Sequence, residues 1–289
     1  MKDRIFKWLL VAGFLFCFHI IDVMTVYANE EPLVNVSRQW WKADVRDNPK
    51  EDFPDPKGVS ENPERERKQP VDLRILQQRY PDIFFLQGPT DQKRVALTFD
   101  DGPDPRFTKN VLDVLNQYNV PATFFMLGSK AVANPKIVKQ VQNGGHVIGN
   151  HTYSHPNLVE ESNLETLERE VTRTENALND IIGYRTKLFR PPYGFLYNEL
   201  VDKLGEMNYY VIAWSVDSLD WQEDPPEVIA SNVLDNIHPG AIILMHDGAE
   251  SGGDRTNTIK SLHQIIPALQ KQGYEFVTVP ELLNIPFKK

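Results

Sequence analysis

Two adjacent aspartates, Asp100 and Asp101, follow the apolar run Val95-Ala96-Leu97-Thr98-Phe99 and precede Gly102-Pro103. Neighbouring carboxylates at a strand end repel each other unless a cation lies close, and a metal ion or an arginine is the usual remedy. On these residues alone, an Asp-Gly turn with solvated acids accounts for the pattern equally well. Farther along, His151-Thr152-Tyr153-Ser154-His155 supplies two imidazoles four positions apart, which on one helical turn would share a face and could bind one ion. Two histidines with one carboxylate form a recurring site for zinc or ferrous iron, with positions left open for water or substrate.

Three further clusters close apolar runs. Arg190-Pro191-Pro192-Tyr193-Gly194 places a permanent cation before a proline-stiffened turn. Asp217-Ser218-Leu219-Asp220-Trp221 brings two carboxylates and an indole that is either core filler or the wall of a pocket. Leu244-Met245-His246-Asp247-Gly248 ends its run on a histidine, the side chain whose ordinary pKa best suits proton transfer near neutrality.

The elements that must position these groups are legible in the apolar periodicity. Short β-branched or aromatic runs at 95–99, 122–127, 146–149, 188–190, 209–215, 241–245 and 276–279 alternate with helical patterns at 107–118, 134–143, 163–182, 195–206, 226–236 and 256–272. Thr108 and Asn163 read as helix caps. This βα alternation predicts an α/β domain of about seven parallel strands, covered by helices on both faces as an open sheet or a closed barrel. In either form ligands bind at the C-terminal ends of the strands, where nearly all the polar clusters fall.

Composition bounds the remainder. A chain of 289 residues, 41% hydrophobic and 25% charged, is that of an ordinary globular protein, and its net charge of -9 argues against a nucleic-acid partner. Lys2, Arg4 and Lys7 precede the apolar stretch 8–26 and then Val26-Tyr27-Ala28, so residues 1–28 read as a signal peptide or, uncleaved, as an N-terminal membrane anchor. The single cysteine, Cys17, lies inside that stretch, which excludes an intramolecular disulfide. Residues 29–70 are rich in proline and charge and read as an extended linker, with Trp40-Trp41 as a sugar contact or a packing anchor. Residues 71–92 read as a lead-in helix and loop, and 93–289 as one domain.

Taken in order, Thr98-Phe99-Asp100-Asp101-Gly102, His151 to His155, Arg190 to Gly194, Asp217 to Trp221 and Leu244-Met245-His246 resemble the five motifs of the polysaccharide deacetylases of carbohydrate esterase family 4, the NodB-homology domain. The resemblance spans roughly 93–286 and implies a distorted (β/α) barrel with fewer than eight strands. It implies Asp101, His151 and His155 as ligands of a divalent metal, usually Zn2+, with Co2+ or another divalent ion as substitutes. It makes Asp100 the general base, His246 the general acid, Arg190 and Asp220 their respective partners, and the Tyr193 backbone N–H an oxyanion donor. Leu244 and Trp221 would line a pocket for the acetyl methyl group.

The expected reaction is hydrolysis of acetyl groups from the N-acetylglucosamine units of peptidoglycan or a chitin-like polymer, outside the cytoplasm. An O-acetyl esterase acting on xylan-type chains would use the same residues. A non-catalytic sugar-binding surface protein with a structural metal is the remaining alternative, disfavoured because structural zinc sites are closed by four protein ligands and only three are evident. The N-terminal segment could associate with wall or membrane.

Overall fold

A computed structural model describes residues 68–289 apart from Ser162. The expected export segment, nearly all of the linker and the Trp40-Trp41 pair lie outside the described residues. Among those described, no helix is long and apolar enough to cross a membrane.

The strands are β1 (Phe84–Phe85), β2 (Arg94–Asp100), β3 (Thr123–Met126), β4 (Val147–Asn150), β5 (Leu188–Phe189), β6 (Tyr210–Ile212), β7 (Val216–Asp217), β8 (Ile242–His246) and β9 (Glu275–Phe276). The helices are α1 (Leu73–Arg79), α2 (Thr108–Tyr118), α3 (Gly128–Ala133), α4 (Pro135–Asn143), α5 (Leu158–Glu161), α6 (Leu164–Ile182), α7 (Asn198–Glu206), α8 (Pro226–Leu234), α9 (Thr256–Lys271) and α10 (Val279–Leu283). Every strand pairing is parallel; the path runs β1-β6-β5-β4-β3-β2-β8-β7, and β9 pairs with the start of β2.

The expected run 209–215 is two strands at opposite ends of this path. Ala213 donates to Phe85 of β1 at 2.8 Å, and Ser215 donates to Ile242 of β8 at 3.1 Å. Four Cα steps from Ile212 to Val216 can span at most about 15 Å, so the two ends of the sheet must curl towards each other. Among the described residues the result is an incomplete parallel barrel whose path has eight strands, close to the expected count of about seven. The expected strand 276–279 is reduced to β9, because Val279 already opens α10.

Alternation along the strands separates two layers. Leu97, Phe99, Phe124, Met126, Ile148, Ile243 and Met245 pack outward with residues of α2, α4 and α9. Ala96, Phe125, Val147, Leu188, Ile212 and Ile242 form an inner cluster. By the same period, Thr98, Asp100, Leu244 and His246 share the inner face.

Helix placement follows similar local chemistry. Asn163 caps α6 by accepting the Glu165 N–H at 2.8 Å, and Gly183 ends it in a left-handed conformation at φ 80. Thr108, expected as a helix cap, is instead the first helical residue of α2, and its hydroxyl accepts the Asp104 N–H and donates to Asp247.

Candidate active site

Strand register sets the first neighbours. The β2–β8 pairing puts Asp100 opposite His246 and Thr98 opposite Leu244, while β7 brings Asp217 opposite Leu244.

Arg190, immediately after β5, is fully buried. Its guanidinium donates to Asp100 Oδ1 at 2.8 Å, to Thr98 Oγ1 at 2.7 Å, and to the carbonyls of Ile212 and Ala213 at 2.9 and 3.1 Å. The Phe125 ring lies 4.2 Å away. Complete burial pulls the Arg190 pKa down and the Asp100 charge opposes it, so this ion pair is tolerable only because its donors are so fully used.

Asp101 turns the other way. Its backbone is left-handed, at φ 71, and its carbonyl oxygen would lie 2.2 Å from a Cβ on Gly248, so only glycine permits the crossing of these two loops. The buried Asp101 Oδ1 has no hydrogen-bond partner. It lies 3.5 Å from His151 Nε2 and 3.3 Å from His155 Nε2, and one ligand atom from each of the three residues falls within 4.8 Å of the others. His151 Nδ1 sits 2.8 Å from the Arg190 carbonyl, which can only accept, so Nδ1 carries a hydrogen and the ring turns Nε2 towards Asp101. Burial, with His151 beside it, pushes His155 down to about 4, which leaves the His155 imidazole neutral. Burial opposes the Asp101 charge, yet the surrounding imidazoles hold its carboxyl below the usual range. A carboxylate oxygen without a hydrogen-bond partner, with two imidazole nitrogens turned towards it, fits a divalent cation.

The two histidines do not share a helical turn, as their spacing had suggested. They sit in a loop after β4, with left-handed backbone at Thr152 and His155. The Thr152 hydroxyl accepts the His155 N–H at 3.1 Å, and the Asn150 side chain accepts the Thr152 N–H at 2.9 Å.

On the opposite flank, His246 Nδ1 lies 2.7 Å from Asp220 Oδ1. Burial alone would lower the His246 pKa, but the Asp220 carboxylate outweighs it and, with Asp101 and Asp100, raises it to about 9. A bound dication would offset the last two contributions.

The remaining expected residues divide. Tyr193 adopts φ 60 directly after the proline pair, and its exposed ring packs edge-on against His155 with centroids 4.7 Å apart. Leu244 is buried, whereas Trp221 is 50% exposed and therefore not core filler. Asp217 accepts the Leu219 N–H at 2.9 Å, and burial raises its pKa to about 6.

Several contributors escaped the sequence reading. Thr98 links Arg190 to β8 through a 2.6 Å bond to the Ile243 carbonyl, and the Thr258 hydroxyl supports Asp220 at 2.8 Å. Asp247, buried and raised to about 7 by that burial, accepts the Thr108 hydroxyl at 2.5 Å. Thr98 and Asp247 stand inside motifs whose other residues drew the attention, and Thr258 lies in a helix with no local signal.

Known proteins resemble this chain in sequence and fold. The polysaccharide deacetylase family profile matches residues 87–212. A peptidoglycan-N-acetylglucosamine deacetylase of Bacillus cereus is 45% identical over 201 residues, covering 70% of this chain and 72% of that protein. A chitooligosaccharide deacetylase of Azorhizobium caulinodans is 35% identical, covering 66% of this chain and 94% of that one. A crystal structure of a peptidoglycan N-acetylglucosamine deacetylase bound to a naphthyl N-hydroxybenzamide superposes with a TM-score of 0.68 at 44% identity, covering 71% of this chain and 94% of the other. On sequence and fold alike, the chain belongs to the polysaccharide deacetylase family, carbohydrate esterase family 4, and is a metal-dependent deacetylase.

Proposed function

We propose that this protein removes acetyl groups from N-acetylglucosamine units of peptidoglycan or a chitin-type glycan, using Asp100 as base and His246 as acid on either side of a zinc site formed by Asp101, His151 and His155. The observation that carries the reading is the pairing of two oppositely equipped proton carriers in adjacent registers: Asp100 bound to Arg190, and His246 bound to Asp220. Hydrolysis of an ester can proceed without much help to its leaving oxygen, whereas an amine must leave protonated. A histidine held in its charged form beside the base therefore favours an acetamide. The names of the Bacillus and Azorhizobium relatives point to the same bond.

A divalent ion at the three ligands would supply Lewis acidity towards the acetyl carbonyl and lower the pKa of water. Asp100, with one oxygen tied to Arg190 and the other 3.8 Å from His151 Nε2, is the group to accept the proton of the attacking water. Negative charge developing on the acetyl oxygen would meet the backbone N–H of Tyr193. His246 then delivers its proton to the departing sugar nitrogen and recovers one from solvent, with Asp220 stabilising the imidazolium throughout. Buried Leu244 and half-exposed Trp221 are the apolar surfaces offered to the acetyl methyl group.

Residues 1–28, with their basic start and apolar run, support action outside the cytoplasm, and the linker would give the domain reach to a wall polymer. The test is a substrate panel: metal-loaded protein should release acetate from chitooligosaccharide or peptidoglycan faster than from acetylated xylan. The reverse order would replace the amidase reading with an O-acetyl esterase.

A further inference from the structure

The loop that carries His151 and His155 lacks regular structure, yet its peptide groups are taken up from two sides. The first N–H groups of α3 donate to it, Gly128 to the Thr152 carbonyl at 3.0 Å and Ser129 to the Tyr153 carbonyl at 3.1 Å. From the other side α6 presents Glu170, only 6% exposed. Its Oε2 alone accepts the Tyr153 N–H at 3.0 Å, the Ser154 N–H at 2.8 Å and the Ser154 hydroxyl at 3.0 Å. The fit is tight: a Cβ on Gly128 would come within 2.5 Å of Thr174 Oγ1 and 2.6 Å of the Tyr153 ring, and the Arg173 guanidinium lies 3.6 Å from that ring's centroid.

We propose that Glu170 is a positioning residue for the metal site. It fixes the Tyr153 and Ser154 peptides, and thereby the separation and aim of the two imidazoles that flank them. The proposal rests on Asp101, His151 and His155 being the metal ligands. Burying a carboxylate is expensive unless its hydrogen bonds are made, and the three that this one accepts come from the short segment between the two histidines. Without it, a loop with two left-handed non-glycine residues would have to order itself each time an ion binds, and that ordering would be subtracted from the affinity. Groups that support metal ligands from behind typically change affinity by about 10–100-fold when removed.

The experiment is titration of Zn2+ into metal-free full-length protein, wild type against Glu170→Ala and Glu170→Gln, with the visible spectrum of the Co2+-loaded proteins as a second readout. Glu170→Ala should lose at least about tenfold in Zn2+ affinity and change the Co2+ absorption bands, which report ligand geometry. Because one oxygen accepts all three bonds, the amide oxygen of Glu170→Gln should restore most of the affinity and the wild-type spectrum. Wild-type affinity and spectrum in Glu170→Ala overturn the proposal, as does an equal loss in both variants. If Glu170→Ala does not fold, Glu170→Asp takes its place: its carboxylate falls a methylene short, so weaker binding supports the proposal and unchanged binding overturns it. Wild-type protein that takes up neither ion overturns the metal reading itself, whereas equal affinities across the variants overturn only the role of Glu170.

Discussion

His246 Nδ1 lies 2.7 Å from Asp220 Oδ1, and the second oxygen of that carboxylate takes the His246 backbone N–H at 2.9 Å and the Thr258 hydroxyl at 2.8 Å. Asp220 therefore fixes both the tilt and the charge of the imidazole. Replacing it by asparagine keeps the shape and removes the charge. The expected result for Asp220→Asn is a fall in kcat of roughly 10²-fold or more, with the basic limb of the pH–rate profile moved to lower pH. A profile that keeps its basic limb would exclude His246 as the acid.

The same pair makes stability depend on pH. The folded-state pKa of His246 stands at about 9 against an ordinary 6.5, so its contribution is complete below the ordinary value and is lost as pH rises through the folded one. Urea midpoints of metal-free protein should decline between these two values, and Asp220→Asn should show a smaller decline over the same interval.

Arg190 and Asp100 form a buried ion pair whose cation touches four acceptors. Arg190→Met removes the cation and leaves the Asp100 carboxylate buried without its partner. A loss of about 3–5 kcal/mol in unfolding free energy is expected, together with loss of activity. Urea denaturation with an unchanged midpoint would contradict the fully buried pair.

Chelation tests the ligand set through folding. Zinc at about 100 times its dissociation constant stabilises by about 2.7 kcal/mol, which in a domain of this size raises Tm by roughly 5–10 °C. His155→Ala and Asp101→Ala should abolish that shift. A zinc-dependent rise retained in either variant would place the ion elsewhere.

Much of this site is legible in the chain because each motif is a strand end followed by a turn, with its chemistry packed into five neighbouring residues. Asp100, Asp101, Arg190 and His246 are readable for that reason. Glu170 and Thr258 are not, since they stand inside α6 and α9, where a glutamate or a threonine ordinarily reads as a solvated face. The run 209–215 shows the limit for the fold: its apolar content is continuous, but residues 213–215 carry the chain from one end of the sheet to the other, and no local pattern marks the crossing. The spacing of His151 and His155 suggested a helical turn; Thr152 in a left-handed conformation makes it a loop, held by partners far away in sequence.

The central claim is that Asp100 and His246 act across the Asp101, His151 and His155 site on an N-acetyl group. Its most direct test is acetate release from N-acetylglucosamine oligomers by zinc-loaded wild type and by Asp100→Asn, with the metal content of both proteins measured. The account predicts acetate from the wild type and a fall of roughly 10²-fold or more in the variant, at equal zinc content. Comparable release by Asp100→Asn would contradict it.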